Sequence, residues 1–248
     1  MNKVALITGA SSGIGRATAT ALSKAGWDLT ITARRLDRLE ETRTQCGKTA
    51  KVLVLAGDIS DERFVLELFK QTVSTFGRLD LLFNNAGMGY PSTLIEDLPI
   101  EAFRKVMDVN VTSAVICTRE AFKVFKAQNP PGGRIINNGS LSAHIPRPHS
   151  FPYTISKHAI TGLTKTTALE GRSHGITCTQ IDIGNALTDM SFRLSQGALQ
   201  SNGQTVPEAT FDVEHVAQSI VHIASLPTNV TVLDYKIMAT EMPFVGRG

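Results

Sequence analysis

Apolar residues fall into two alternating patterns along the chain. Short runs at 4–8, 29–33, 52–56, 79–83, 134–138, 176–183 and 232–238 are separated by longer stretches with apolar positions every three or four residues. Most of the runs are apolar at successive positions, as strands covered by helices on both faces must be. Ile14, Ala17, Ala21, Leu22 and Ala25 make one helical stripe, and Phe64, Val65, Leu68, Phe69, Val73 and Phe76 make another. The second of these helices is predicted to start with Ser60 as N-cap, to carry Asp61 and Glu62 in its first turn, and to end at Gly77. Strand and helix in alternation mean parallel βαβ units. The expected fold is therefore α/β: a doubly wound, seven-stranded parallel sheet with helices on both faces, in one domain spanning 1–248. Segment 185–207 breaks the regularity, being rich in Ser, Gln, Gly and Asn with scattered Phe192, Leu194 and Leu199. It reads as a loop with a short helix lying over a site, or equally as an ordinary surface loop.

Composition narrows the function classes. The formal charge is only +3 and no Lys/Arg run occurs, so the electrostatic footprint of a nucleic-acid binder is missing. No apolar run approaches the ~20 residues of a membrane span, and the first apolar stretch is too short for a signal peptide. Cys46, Cys117 and Cys178 are far apart in sequence, without metal-type or paired spacing. A cytoplasmic protein without a metal is the expectation.

Thr8-Gly9-Ala10-Ser11-Ser12-Gly13-Ile14-Gly15 follows the first strand and opens the first helix. Free N–H groups of such a turn and the positive end of the helix dipole suit a pyrophosphate. The glycines allow close backbone approach and tight helix–sheet packing. Gly9, Ser11, Ser12, Gly13, Ile14 and Gly15 are thus candidate cofactor contacts. The second strand ends without the carboxylate that would hold the ribose hydroxyls of NAD. Arg34 and Arg35 stand there instead and offer forked, charged donors for a 2′-phosphate, which favours NADP. The plainer reading of both is solvated residues at a helix start. The third strand ends at Gly57-Asp58-Ile59 and the fourth at Asn84-Asn85-Ala86-Gly87. With strand order 3-2-1-4-5-6-7, the turns after strands one and four face each other across the crevice where order reverses, the usual ligand site. Asp58 is placed either to accept from an adenine amino group or to cap the next helix.

Tyr153 and Lys157 lie four residues apart after Pro152, on one face of a helix. A phenol is a poor proton carrier near neutral pH, its ordinary pKa being ~10, and a neighbouring ammonium favours the phenolate. Such a pair can protonate a developing alkoxide or deprotonate an alcohol, although two residues at this spacing are more often mere neighbours on a wet face. Ser140 ends the fifth strand and points into the same crevice. Asn110 falls on a long apolar stripe that includes Phe103, Val106, Met107, Ala114, Ala121 and Phe125. An amide buried there must be hydrogen-bonded, either as an anchor between helices or as the holder of a water that relays protons to Lys157.

Together these pieces resemble the short-chain dehydrogenase/reductase family over nearly the whole chain. Thr8–Gly15 looks like its Thr-Gly-x-x-x-Gly-x-Gly cofactor turn, the tetrapeptide from Asn84 to Gly87 looks like its Asn-Asn-Ala-Gly motif, and Asn110, Ser140, Tyr153 and Lys157 fall where its catalytic tetrad lies. The resemblance implies Tyr153 as acid/base and Lys157 as its partner and ribose contact. It further implies Ser140 as orienter of the substrate oxygen, Asn110 as holder of the relay water, Arg34 at the position marking NADP-preferring members, and a homodimer or homotetramer through helices near 99–128 and 153–173. Asp58, Ile59, Asn85, Ala86, Gly87, Gly184, Ala186 and Thr188 would complete the cofactor site. One departure is Ile183 where the family has proline before glycine; Gly184 and Thr188 match. The C-terminal part is loosely similar to the subgroup acting on short 3-hydroxy acids. Such acids would call for a cation or amide, and His144, Arg147, His149 and Arg193 are candidates. An NADP-dependent alcohol or carbonyl oxidoreductase is the leading reading. A non-catalytic NADP-binding sensor, or an epimerase or lyase on the same site, are the alternatives.

Overall fold

Alternate residues of β1 (Val4–Thr8) enter two different cores. Ala5 and Ile7 point to one face of the sheet and Val4 and Leu6 to the other. This follows from the period of two along a strand, and it makes β1 the centre of three layers. In a computed structural model describing residues 2–245, the strands that follow are β2 (Asp28–Ala33), β3 (Val52–Ala56), β4 (Leu81–Asn84), β5 (Gly133–Asn138) and β6 (Ile176–Ile183). Two short strands, β7 (Ala198–Leu199) and β8 (Thr205–Val206), and finally β9 (Asp234–Ile237) complete the set. Seven of them form one parallel sheet in the order β3-β2-β1-β4-β5-β6-β9, the order expected from the sequence.

The helices are α1 (Gly13–Lys24), α2 (Leu36–Gln45), α3 (Glu62–Phe76), α4 (Ile100–Met107), α5 (Ser113–Ala127), α6 (Phe151–Gly171), α7 (Phe192–Gln196) and α8 (Glu214–Ser225). Leu22 of α1, Leu39 of α2 and Ile220 and Ile223 of α8 fill one core. Val65, Leu68 and Phe69 of α3 join Ile116, Ala121 and Phe125 of α5 in the other. A third, smaller cluster joins Leu141 to Ala239 and Met242 beyond the ends of β6 and β9.

Three details differ from the sequence expectation. The N-cap of α3 is Asp61, whose carboxylate accepts from the Arg63 amide at 2.9 Å; Ser60 instead donates its hydroxyl to Asp58. Asp and Ser are equally good caps, but the Ser60 hydroxyl is already committed to Asp58, and an acid also favours the positive helix end. Gly77 does end α3, in the left-handed region at φ 77°. The stripe from Phe103 to Phe125 is a helix broken by a π turn, Asp108–Thr112, centred on Asn110. Such a bulge inserts one extra residue per turn and re-aims a side chain. Segment 185–207 holds the expected short helix, α7, and also the β7–β8 hairpin.

Phe125 has no exposed surface, and its ring occupies the space a Cβ on Gly133 would need, with a 2.4 Å approach. Truncating it leaves a cavity between α5 and β5. Phe125→Ala should lower the free energy of unfolding by about 3–5 kcal/mol, read from the denaturant midpoint at unchanged m-value.

Candidate active site

The turns after β1 and β4 meet without room for a side chain between them. A Cβ on Gly9 would lie 2.8 Å from the Ala86 Cα, and one on Gly15 would lie 2.3 Å from the Gly9 carbonyl oxygen. Thr8 binds the two turns together. Its hydroxyl accepts from the amides of Asn85 and Ala86 at 3.0 and 2.9 Å, and its carbonyl accepts from the Asn85 side chain at 2.9 Å. Gly9 and Gly13 take φ values of 68° and 50°, which only glycine adopts without strain. Ser12 caps α1 without a side-chain hydrogen bond and no acid stands in the first turn. The leading amides of α1 therefore have no side-chain partner from the cap and face the crevice. This cradle fits the pyrophosphate of a dinucleotide. Arg16 and Thr42 stiffen it from behind: the Arg16 guanidinium donates to the Ser11 carbonyl at 2.7 Å, and the Thr42 hydroxyl to that of Ala10 at 2.9 Å. Ile14 packs on the first core, and Ile59 is buried in the second.

At the far side of β2, Arg34 and Asp58 line one cleft of about 420 Å³ in which the cations Arg104 and Lys105 are matched by Glu101 and Asp108. Hydrogen bonds from the Ser60 amide and hydroxyl hold the Asp58 carboxyl below its ordinary range. Arg34 is exposed. Arg35 turns back toward the glycine turn, 3.4 Å from the Ser11 hydroxyl.

Beyond β4 and β5 lie the residues with chemistry. Pro152 sits in the first turn of α6, where its missing N–H costs nothing, and Tyr153 and Lys157 follow on one face. The Lys157 ammonium is 5.5 Å from the Tyr153 ring centroid and donates to the Asn138 carbonyl at 2.7 Å. Asn138 in turn donates its side-chain amide to Asn85 at 2.9 Å. Ser140 is buried, and its hydroxyl oxygen accepts from the Ser142 amide at 3.1 Å, so its own hydrogen is left for another acceptor. Asn110 links Met88 and α6. Its oxygen accepts from the Met88 amide at 2.8 Å, and its nitrogen donates to the Met88 carbonyl at 2.9 Å and the Ser156 hydroxyl at 3.0 Å. The anchoring geometry is thus present, one residue from Lys157. Gly87 packs beside the same Asn110 oxygen, which a Cβ there would approach to 3.4 Å.

After β6 the chain turns over the cradle. Ile183 stays in the ladder opposite Ile237. A Cβ on Gly184 would clash with Leu141 and Met242, at 2.5 and 2.6 Å. Asn185 takes φ 47°, and its side chain meets Arg147, Glu208 and the Ala209 carbonyl. That network, not a proline, sets the turn. Ala186 is buried and bridges to Phe211, and Thr188 reaches back so that its methyl would lie 3.1 Å from a Cβ on Gly13. Of the cations considered for a carboxylate substrate, two already hold acids. Arg147 grips Glu208 through two contacts of 2.6 Å, and His144 lies 2.6 Å from Asp182. Arg193 is exposed on α7, and His149 takes φ 56° while its carbonyl accepts from the Thr93 amide.

Sequence reasoning missed Asn138, Asp182, Arg16 and Glu208. A signal existed for two of them: Asn138 and Asp182 are polar residues inside strands otherwise read as buried.

The short chain dehydrogenase family model matches residues 3–198. The chain belongs to that family. "Dehydrogenase/reductase SDR family member 11" of Mus musculus is 33% identical over 97% of this chain and 95% of its own. Among solved structures, a 3-ketoacyl-(acyl-carrier-protein) reductase from Brucella melitensis complexed with NADH superposes with a TM-score of 0.85. It is 26% identical and covers 96% of this chain and 98% of its own. An alcohol dehydrogenase from the archaeon Thermococcus sibiricus complexed with 5-hydroxy-NADP gives a TM-score of 0.82 at 25% identity, covering 96% of each chain. As a short chain dehydrogenase, the protein is an oxidoreductase on a single Rossmann-like domain. Among its described residues no helix is long and apolar enough to cross a membrane.

The Arg147–Glu208 pair gives this family member a measurable acid sensitivity. Burial opposes the charge on Glu208, yet hydrogen bonds from Arg147, Gln200 and Asn185 outweigh it and bring the carboxyl down from 4.5 to about 2. Because the folded value is depressed, the pair's contribution is complete above the unfolded carboxyl's range and is lost as pH falls from about 4.5 toward about 2. Glu208→Gln should cost about 3 kcal/mol at pH 7. Its stability should also fall less than the wild type's between neutral and strongly acidic pH, measured by denaturant unfolding at both.

Proposed function

We propose that the protein is an NADP(H)-dependent oxidoreductase acting on the CH–OH group or carbonyl of an uncharged small molecule, with Tyr153 as acid/base. The observation that carries this reading is the Lys157 ammonium beside the Tyr153 ring, hydrogen-bonded to a carbonyl and not to a carboxylate. A positive charge held against a neutral partner remains available to stabilise a phenolate. A nicotinamide held between the glycine cradle and Tyr153 would supply the hydride for reduction of a carbonyl carbon or accept it from an alcohol carbon. In reduction, Tyr153 donates its phenolic proton to the substrate oxygen as negative charge develops there; in oxidation it takes that proton back. Ser140, with its oxygen already accepting from Ser142, gives its hydrogen to the same substrate oxygen. Asn110 fixes Ser156 and so the start of α6.

NADP over NAD is supported by exposed Arg34 directly after β2 and by the lack of an acid at the end of that strand. An uncharged substrate is supported by the pairing of His144 and Arg147 with acids, which speaks against the short hydroxy acid. It is also supported by exposed Leu187, Met190 and Phe192 on segment 185–207, here read as the substrate cover. A homodimer or larger assembly is supported by the groove between α5 and α6, with Phe122 and Leu163 in its lining, and by exposed Val115 and Leu169 on the same helices. Free Cys46, Cys117 and Cys178 suit a reducing cytoplasm.

The decisive experiment is fluorescence titration with NADPH and NADH, then a carbonyl and alcohol panel read at the nicotinamide absorbance. NADPH binding with turnover supports the proposal. Binding without turnover on a broad panel favours a sensor, epimerase or lyase, and no binding of either nucleotide overturns it. Tyr153→Phe should lower kcat by roughly 10² to 10⁴ while the NADPH dissociation constant stays within about twofold; near-normal turnover would remove Tyr153 from its role. Arg34→Ala should weaken NADPH by about 10- to 100-fold and leave NADH nearly unchanged, as expected for lost charge-assisted hydrogen bonds. Equal weakening of both would count against the phosphate contact.

A further inference from the structure

β6 carries one carboxylate, Asp182, and it has no exposed surface. A buried carboxylate is strongly destabilising unless it is fully partnered. Its partners all converge on one place. One oxygen accepts from the Ser140 backbone amide at 2.9 Å and from the Gln180 side chain at 2.7 Å; the other lies 2.6 Å from the His144 ring nitrogen Nε2. Gly139 makes this possible, because a Cβ there would lie 2.1 Å from the same Asp182 oxygen. Gln180 also donates to the Thr161 hydroxyl at 3.1 Å, which joins the cluster to α6 one turn beyond Lys157.

The segment from Ser140 to His144 is therefore held at both ends by a single side chain. It contains the 3-10 turn Leu141–Ala143, and within it the Ser142 amide donates to the Ser140 hydroxyl. The Ser140 hydroxyl takes its direction from this turn, since the backbone at Ser140 is fixed by Asp182 and the hydroxyl's acceptor side by Ser142. An apolar side chain at 182 would fit a parallel strand covered on both faces better than an acid does. A carboxylate there is explained by the donors it satisfies.

We propose that Asp182 and His144 are positioning residues that brace the turn and hold the Ser140 hydroxyl at the substrate oxygen. Asp182 carries the brace from β6, and His144, with 30% of its side chain exposed, closes its outer end. The proposal rests on the reading of Ser140 as the residue that orients substrate.

The test combines hydrogen exchange at the Ser140 amide, which needs no substrate, with steady-state kinetics. Asp182→Ala should speed exchange of that amide by at least about tenfold, the loss of one hydrogen bond to a charged group. It should lower kcat by a similar factor with the NADPH dissociation constant unchanged. Asp182→Asn keeps an acceptor for the amide and should restore most of both. His144→Ala, at the partly exposed end, should give a smaller change in the same direction, and it supplies the answer if Asp182→Ala does not fold. In a Ser140→Ala background, Asp182→Ala or His144→Ala should add less than about twofold, because residues acting through one group are not additive. Unchanged exchange in the single variants, or an equal kinetic penalty with and without the Ser140 hydroxyl, would overturn the brace. Absence of turnover by the wild type would count against the proposed function, while the exchange rates would still decide the brace.

Discussion

The close approach of the β1 and β4 ends governs the rest of the site. With a Cβ excluded at both Gly9 and Gly15, the backbone after β1 can lie directly on Ala86 and Asn85. Thr8 then turns that contact into hydrogen bonds. Sheet order reverses between these two strands, so their connections leave in opposite directions and open a crevice at the carboxyl ends. Asn85 passes the constraint onward to Asn138, and Asn138 passes it to Lys157. The glycine cradle and the Tyr153–Lys157 face are thus two ends of one chain of hydrogen bonds.

Charge is distributed unevenly around that crevice. His144 and Arg147, in the loop after β5, face Asp182 and Glu208 at hydrogen-bond distance, so both are already partnered. Lys157 is as buried as those acids, yet its hydrogen bond goes to a carbonyl. Neutral partners solvate an ammonium without cancelling its field, and the low dielectric of the interior strengthens that field. The same physical rule separates the paired groups, whose charges are cancelled, from the lysine, whose charge is not.

The turn after β6 shows how one device replaces another. Proline would have restricted the backbone at 183 directly. Here Ile183 continues the strand, and order comes two residues later from the Asn185 side chain held by Arg147, Glu208 and the Ala209 carbonyl. The chain after β6 is therefore tied to the loop before α6 through an ion pair, and both segments share the consequences of Glu208 ionisation.

Periodicity determined the α/β class and the single domain, because buried parallel strands and amphipathic helices each leave a regular mark on neighbouring residues; the strand order was a premise taken from doubly wound sheets, and only the folded sheet shows it. The glycine turn and the Asn84–Gly87 turn are each written within a few consecutive positions, whereas Ser140 and the Tyr153–Lys157 pair stood out only because the whole combination resembles a family pattern. Finer choices were not legible. Asp61 rather than Ser60 caps α3 because local side-chain competition decides it, and the β7–β8 hairpin lacks the alternation that would announce it. Asn138, Asp182, Arg16 and Glu208 have decisive partners up to about sixty positions away. Only tertiary structure brings those partners within 3 Å or so, since hydrogen-bond pairing between distant segments depends on where the folded backbone puts them and leaves no trace in local spacing.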